Sequence, residues 1–181
     1  MLHWTKEDTP RWDAAKQRLF GPEELAATGM MAPAPGSPIA HEWWHVTGDD
    51  GEVAGYGWLD SEWGDAEITF LVGRDRRGAG IGGFIVDRLE EEAAGRGLNY
   101  IYNVVPPTHP DPSWMTRWLT GHGFTPGHGD LRRQVRHART ARILTARQPI
   151  VAGHFIATGH SIVDSDGRRR SLTTVAPSAG V

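Results

Sequence analysis

One segment constrains the fold of this chain more than any other: a glycine-rich run, residues 73–83, between a predicted strand and a predicted helix. The strand, residues 66–72, is apolar and β-branched, and an amphipathic helical stretch follows the run from Phe84. Glycines at alternate positions let successive backbone N–H groups face one pocket, and the following helix adds its unpaired first amides and the positive end of its dipole. This arrangement favours the binding of a pyrophosphate group.

The sequence on either side of the loop narrows the class of protein. No Lys-Ser or Lys-Thr follows the glycines, which excludes the phosphate loop of nucleoside triphosphate-binding proteins. Two further predicted strands, 41–47 and 53–59, precede the loop and join through a hairpin turn at 48–51. A dinucleotide-binding fold would instead place the loop after the first strand of a parallel array. An ordinary glycine-rich turn in another α/β protein is the remaining alternative.

The run Arg77-Gly78-Ala79-Gly80-Ile81-Gly82 resembles the Arg/Gln-x-x-Gly-x-Gly/Ala motif of the GNAT superfamily of N-acetyltransferases. The resemblance covers about residues 1–137 and includes Gly123-Phe124 near its end. It implies an α/β fold of the α+β kind, with a mixed, largely antiparallel sheet flanked by helices. Two central strands, predicted here at 66–72 and 99–105, should splay apart and admit acyl-CoA.

The resemblance also implies how acetyl-CoA or another acyl-CoA is held as co-substrate. Main-chain groups of Leu71 and Val72 are expected to pair with the pantetheine arm. The amides of the loop are expected to hold the pyrophosphate, and the side chain of Arg77 to face the phosphates rather than solvent. The loop residues concerned are Arg77, Gly78, Ala79, Gly80, Ile81 and Gly82.

Acyl transfer to an amine requires the neutral amine, and therefore a base. Glu67 is the candidate, because the segment 66–70 resembles the corresponding strand of histone acetyltransferases, in which such a glutamate is the base. A carboxylate beside an apolar cleft is expected to have a raised pKa. The alternative is that Glu67 forms an ion pair or points to solvent at the edge of a strand.

The general acid departs from the pattern of the superfamily. The tyrosine that usually stabilises the leaving thiolate corresponds to Leu119, and the asparagine expected earlier in that helix corresponds to Pro112. A thiolate is also a tolerable leaving group, so a dedicated acid is not required. The substitutes to consider are His109 and Ser113, nearest the expected thiol, and then His122 and Tyr102.

Charge divides the chain unevenly. Residues 1–130 hold 10 Lys and Arg against 20 Asp and Glu, whereas residues 131–181 hold 9 Arg against 2 Asp. We therefore predict an acyltransferase domain over 1–137 and a basic extension over 138–181, which adds a strand or hairpin and helps to form a homodimer. The alternative is a flexible basic arm that docks an RNA-bound or carrier-bound substrate, although a nucleic-acid partner is not the favoured prediction.

Several classes of function are disfavoured by composition. The chain has no cysteine, which excludes disulfides and thiolate metal sites. His41 and His45 lie about 13 Å apart on a strand, too far to share a metal, so we expect no metal. No apolar run approaches the ~20 residues of a membrane span, and residues 1–6 lack the core of a signal peptide. We therefore expect a cytoplasmic enzyme without a membrane partner.

The predicted acceptor is a small-molecule or peptide amine that attacks directly in a ternary complex. A non-catalytic acyl-CoA-binding protein is the alternative from another class. At the level of elements, we predict a helix over 10–19 that begins at Pro10 and a helix after a Ser113 cap. We also predict that one of Trp43 and Trp44 faces away from the core, toward an acceptor pocket or an interface.

Overall fold

A computed structural model describes residues 1–137, 158–163 and 169–174 of the chain. A short 3-10 turn, Arg74–Arg76, precedes the third helix. In residues 1–137 the strands and helices follow in the order β1 (His3–Lys6), α1 (Ala14–Leu19), α2 (Pro22–Thr28), β2 (Glu42–Thr47), β3 (Val53–Glu62), β4 (Asp65–Val72), α3 (Ile81–Gly95), β5 (Tyr100–Asn103), α4 (Pro112–Gly121), β6 (Thr125–Pro126) and β7 (Leu131–Gln134).

The strands form one sheet in the order β1-β2-β3-β4-β5-β7-β6. Every neighbouring pair is antiparallel except β4 and β5, which are parallel. The parallel pairing comprises only Ala66 with Ile101 and Glu67 with Tyr102, and beyond it the two strands separate. This architecture confirms the predicted mixed, largely antiparallel sheet with splayed central strands.

Both faces of the sheet carry an apolar core. On one face, Ile85 and Leu89 of α3 and Leu119 of α4 pack against Ile68 and Ile101, all fully buried. On the other face, a second, aromatic cluster gathers around the N-terminal helices. Its members are Trp12, Phe20, Trp43, Tyr56, Trp58 and Leu71.

The prediction that Trp43 or Trp44 faces away from the core is wrong. Each is 1% exposed, Trp44 in the core beneath α3 and Trp43 in the aromatic cluster on the opposite face. The ring of Trp43 stacks on Trp58 with centroids 4.2 Å apart, and Phe20, just beyond α1, packs on it. Alternation sends adjacent strand residues to opposite faces, and here helices cover both.

Two predicted helix starts are wrong because a different residue caps the helix. The first helix begins at Ala14, where Asp13 Oδ1 accepts a hydrogen bond from Lys16 N at 2.9 Å. Residues 10–12 instead run extended against the connector between α2 and β2, residues 29–41, with Trp12 N donating to Ser37 O. In α4 the cap is Asp111, whose Oδ1 accepts from Trp114 N at 2.8 Å, and not Ser113.

Strand β5 is shorter than the predicted 99–105, since it ends at Asn103, before the proline-rich loop. The chain divides into two compact units, Met1–Ala138 and Arg139–Val181. Within the second, Thr158–Val163 pairs antiparallel with Arg169–Thr174. The rest of the predicted basic extension, residues 138–157, 164–168 and 175–181, lies outside the described residues. Within the described part of the chain, no helix has the length and apolar character needed to cross a membrane.

Candidate active site

The glycine-rich loop presents an open concave surface at the start of α3. Gly78 and Gly80 have φ of +79° and +78°, a left-handed conformation that side chains rarely adopt. A Cβ added at either position would meet nothing within 4 Å. Gly80 is also the N-cap of α3, and among the described residues no side chain caps that helix end, so the first-turn amides lack an intrahelical partner. Within the part of the chain that the structure describes, the loop therefore offers unpaired N–H donors next to open space.

The side chain of Arg77 forms an ion pair with a residue of α2. Its Nη2 donates to Glu24 Oε1 at 2.9 Å, and its Nε donates to Val72 O at 3.3 Å. Glu24 is 2% exposed and also accepts from Arg74 at 2.8 Å. Burial raises the pKa of Glu24, but its hydrogen bonds and the charges of Arg74 and Arg77 outweigh burial and hold that pKa below its usual range. In this structure the guanidinium of Arg77 thus ties the loop to α2, while its main chain belongs to the loop.

One edge of β4 faces the gap between the splayed strands. The carbonyl of Ile68 accepts from Asn103 Nδ2 at 2.8 Å, and that of Val72 accepts from Arg77 Nε, both on the side away from β3. The carbonyl of Leu71 points the other way, since a Cβ added at Gly55 of β3 would lie 2.5 Å from it. Main-chain groups alternate in direction along a strand, so Val72, and not Leu71, presents its carbonyl to the gap.

A narrow cleft with a cavity volume of about 10 Å³ occupies the region where the strands diverge. The end of β4 forms one wall, the end of β5 and the loop after it form another, and α2 and α4 close the remaining sides. Its lining includes Thr28, Thr69, Phe70, Asn103, His109 and Met115. A cleft this narrow leaves no room for a compact ligand.

Of the two favoured acid candidates, the structure places His109 in the cleft and Ser113 outside it. His109 Nδ1 accepts a hydrogen bond from Asp111 N at 3.0 Å, so the neutral ring carries its proton on Nε2. Burial lowers the pKa of His109 against the opposing effect of Asp111, which favours the neutral ring. The loop is held in place where Thr108 Oγ1 donates to Ala26 O at 2.8 Å. Ser113 is an exposed residue in the first turn of α4.

Glu67 stands at the closed end of the gap, on the last residue pair that joins β4 to β5. It is half-buried between Asp60 of β3 and Tyr102 of β5. Burial raises the pKa of Glu67, and the charges of Asp60 and Glu62 raise it further, against a smaller effect of His41. Burial and the nearby charge of Glu67 likewise raise the pKa of Tyr102. The carboxylate therefore holds a proton more strongly than an ordinary surface glutamate does.

No arrangement of three or more His, Asp or Glu side chains among the described residues is suited to hold a metal ion. His41 Nδ1 lies 3.5 Å from Asp60 Oδ2, whereas His45 Nδ1 lies 3.4 Å from Glu7 Oε1, so the two histidines belong to different clusters.

An aromatic wall on α4, which sequence reasoning missed, flanks the glycine-rich loop. Trp118 packs on Phe70 and His122, with ring centroids 5.2 and 3.8 Å away. A Cβ added at Gly82 would lie 3.1 Å from the Trp118 ring, and one at Gly83 would lie 3.2 Å from His122 Nε2. The available signal was the spacing of Trp114, Trp118 and His122, four residues apart on one helix face.

The position expected to carry the tyrosine lies in the core. Leu119 is fully buried beneath α3 and has no polar atom in its side chain. Asn103 was also missed by sequence reasoning: it is 4% exposed, lines the cleft and bridges the two diverging strands. Nothing in a strand-like Tyr-Ile-Tyr-Asn sequence distinguishes such an asparagine from an ordinary strand-end residue.

A larger depression lies on the other side of the loop, next to α1 and α2. Its arginines are already paired with carboxylates: Arg18 with Glu52, Arg74 with Glu23 and Glu24, and Arg76 with Asp50. We therefore place the candidate site in the cleft between β4 and β5, beside the loop amides that have no partner among the described residues, and not in this depression.

The family model described as "Acetyltransferase (GNAT) family" matches residues 3–111 of this chain. Comparison with curated proteins gives no match. Among solved structures, the chain is similar to a GNAT-family acetyltransferase structure from Desulfovibrio desulfuricans, at 15% identity and a TM-score of 0.54, over 75% of this chain and 100% of that one. It is also similar to an N-acetyltransferase from Staphylococcus aureus Mu50, at 13% identity and a TM-score of 0.51, over 74% and 99% of the two chains.

A third similar structure is Rv2747 from Mycobacterium tuberculosis, which was solved in complex with CoA and NLQ. The identity there is 30%, the TM-score is 0.41, and the match covers 48% of this chain and 49% of that one. At 15% and 13% identity, the first two similarities show a shared fold. The third similarity is limited to about half of each protein.

Proposed function

This chain belongs to the acetyltransferase (GNAT) family, and we propose that it transfers an acyl group from acyl-CoA to an amine, with Glu67 as the base. One observation carries the assignment of the base. At the point where β4 and β5 separate, Glu67 combines partial burial with two like-charged neighbours, Asp60 and Glu62, so that its pKa is raised. A carboxylate with a raised pKa accepts a proton more readily at neutral pH than an ordinary surface glutamate does.

The residues around the cleft fit the co-substrate of the family. The first-turn amides of α3 and the open loop at Gly78 and Gly80 supply donors and space for a pyrophosphate. The free edge of β4 and the narrow cleft suit a pantetheine arm, and Val72 offers the carbonyl nearest the loop. When bound, acyl-CoA supplies the acyl group as an activated thioester.

In the proposed mechanism Glu67 takes a proton from the acceptor amine. Its position supports this role, since it shares a sheet face with Asp60 and Tyr102 beside the closed end of the gap. The acidic character of this face favours an acceptor that approaches as a cation. Such an acceptor must lose one proton to become a nucleophile, and the raised pKa of Glu67 matches that task.

His109 supplies the second polar group of the proposed mechanism. Its Nδ1 is occupied by the Asp111 amide, so the proton of the neutral ring is on Nε2, and the ring lines the cleft. This N–H stabilises negative charge at the thiol end of the cleft by donating a hydrogen bond. It takes the place of the tyrosine hydroxyl that Leu119 lacks.

The second candidate function is a non-catalytic acyl-CoA-binding protein, and the fully buried Leu119 is the observation that favours it. Such a protein would retain the loop and the cleft but would not consume the thioester. The identity of the amine, the homodimer and the docking role of the basic C-terminal region remain predictions from the sequence.

Release of free CoA from acetyl-CoA, measured against a panel of small amines, peptides and aminoacyl-RNA, tests the two functions. We expect CoA release with at least one amine and a decrease of about 10²–10⁴-fold in kcat for Glu67→Gln. Glu91→Gln is the matched control, since Glu91 pairs with Arg88 on the exposed face of α3. Binding of acetyl-CoA without CoA release from any acceptor would favour the non-catalytic protein. Equal rates for the two variants would remove Glu67 from the mechanism.

A further inference from the structure

The cleft contains a buried polar atom without a partner. Asn103 is 4% exposed, and its Oδ1 accepts no hydrogen bond from any residue that the structure describes. Its Nδ2 donates to Ile68 O at 2.8 Å. A carbonyl oxygen can only accept, so this bond fixes which end of the amide faces β4. The acceptor Oδ1 is therefore the end left over.

Asn103 lies where the two strands begin to diverge. The main-chain pairing of β4 and β5 ends at Glu67 and Tyr102, and at the next position a side chain replaces the main-chain ladder. The amide of Asn103 thus joins the strands across the inner end of the gap and lines the cleft together with Phe70 and His109. Ile68 O already accepts one hydrogen bond, whereas Asn103 Oδ1 is a buried acceptor that accepts none from the described residues.

The missing partner must donate a hydrogen bond, which limits what it can be. The thioester and the phosphates of acyl-CoA carry acceptors at neutral pH, and its adenine lies at the far end of the molecule. The donors along the pantetheine arm are the N–H groups of two amides and one hydroxyl, which belongs to the pantoyl unit at the phosphate end of the arm, far from the thiol. The acceptor amine is the other donor in the reaction, but Glu67 and Tyr102 lie on the opposite sheet face from Ile68 and Ile101, the face that Asn103 shares by alternation.

We propose that Asn103 Oδ1 accepts a hydrogen bond from the pantetheine amide nearer the thiol, and so fixes how deeply acyl-CoA enters the cleft. The amide nearer the thiol is chosen because Asn103 is one residue beyond the Glu67–Tyr102 pair, at the reacting end of the gap. The inference rests on the proposed use of acyl-CoA. It adds a positioning residue outside the glycine-rich loop, one that spans both strands through its two amide atoms.

The test is a binding cycle that involves no turnover. The full chain and the variant Asn103→Leu are titrated in a calorimeter with CoA and with an analogue in which an ester oxygen replaces the N–H of the amide nearer the thiol. The wild-type chain should bind the ester about 10- to 100-fold more weakly than CoA, because a buried acceptor loses its donor. Asn103→Leu should bind the two ligands with equal affinity, within about twofold.

A matched control is Asn99→Leu, which removes an asparagine four residues before Asn103 whose side chain donates to Gly64 O. This variant should keep the wild-type ratio of the two affinities. If thermal melting shows that Asn103→Leu does not fold, Asn103→Ser replaces it, since serine is too short to reach Ile68 O or the ligand. An unchanged ratio in a folded Asn103 variant overturns the assignment of Asn103 and leaves the proposed function intact. A wild-type chain that binds neither ligand overturns both.

Discussion

Substitution of Gly80 by glutamate separates a role in ligand binding from a role in stability. Gly80 has φ +78° and open space around an added Cβ, so the substitution meets no steric clash in the ligand-free chain. Gly36 has φ +77° and equally open space, and lies in the connector before β2. Gly36→Glu is therefore a matched control with the same backbone strain and the same added charge, away from the loop.

The expected cost in stability is the same for both variants. A non-glycine residue held in the left-handed region costs about 1–2 kcal/mol. For a chain of this size that lowers the Tm by about 2–8 °C, at about 2–4 °C for each kcal/mol. Both variants should melt at similar temperatures, since neither added side chain meets a neighbour within 4 Å of its Cβ.

The expected cost in binding differs between them. At Gly80 the new carboxylate stands beside the amides that would hold the pyrophosphate, where each pair of unit charges at about 4 Å repels by about 1 kcal/mol in water. One displaced hydrogen bond to a charged phosphate adds about 1.5–3 kcal/mol. Together, with two phosphate charges, the loss is about 3.5–5 kcal/mol, or more than about 100-fold in the Kd for CoA.

The assay is calorimetric titration with CoA, together with thermal melting of the two variants. Gly36→Glu should bind like the wild-type chain, and Gly80→Glu should show no measurable binding at micromolar ligand. Equal affinities in two folded variants would refute the assignment of this loop to the pyrophosphate. A much lower Tm for Gly80→Glu alone would refute the argument that the loop is open and its strain is local.

Three further predictions concern the base, a buried ion pair and the C-terminal region. Since the folded-state pKa of Glu67 is raised, activity should fall as the pH decreases through that pKa, and Glu67→Gln should remove this acidic limb. Because the pKa of Glu67 is raised in the folded state, its protonated carboxyl stabilises the fold in acid, and this stabilisation is lost as the pH rises through that pKa. Glu67→Gln should therefore raise the Tm at pH 8 and have less effect at pH 4. Lys16 is fully buried against Glu7, and Lys16→Met should lower the free energy of unfolding in urea by about 3–5 kcal/mol. Lys6→Met removes one partner of the half-exposed pair with Glu42 and should lower it by less than about 1 kcal/mol. Equal losses would contradict the role of burial. Truncation after Ala138 should lower the oligomeric state and the Tm, and an unchanged size in solution would favour the flexible basic arm.

The predicted and observed elements agree best where local chemistry decides the structure. The second helix begins at Pro22 and ends before Gly29, which adopts φ +70°, because proline and glycine act on their own backbone. The predicted start of the first helix is too early, because the prediction takes Pro10 as its first residue and the helix begins at Ala14. Residues 10–12 instead bond to the connector at 36–39, which is a long-range pairing that no local signal announces.

The chain by itself determined the glycine-rich loop, the strand before it and the helix after it, and hence the family. These features depend on backbone freedom and on residues a few positions apart, so they can be found in a linear sequence. The same holds for Glu67, whose strand position follows from alternation. The electrostatic surroundings of Glu67 cannot be found from the linear sequence, since Asp60 and Tyr102 belong to two other strands that pair with β4.

Which polar groups meet in the cleft depends on tertiary structure. His109 lines the cleft and Ser113 does not, Arg77 pairs with Glu24, and Trp43 and Trp44 are buried in two separate cores. Asn103 Nδ2 lies 2.8 Å from the carbonyl of Ile68, a residue 35 positions earlier, and the other end of that amide has no partner among the described residues. Such contacts depend on strand register and on the direction in which neighbouring strands diverge, and both are properties of the assembled sheet rather than of any segment of the chain.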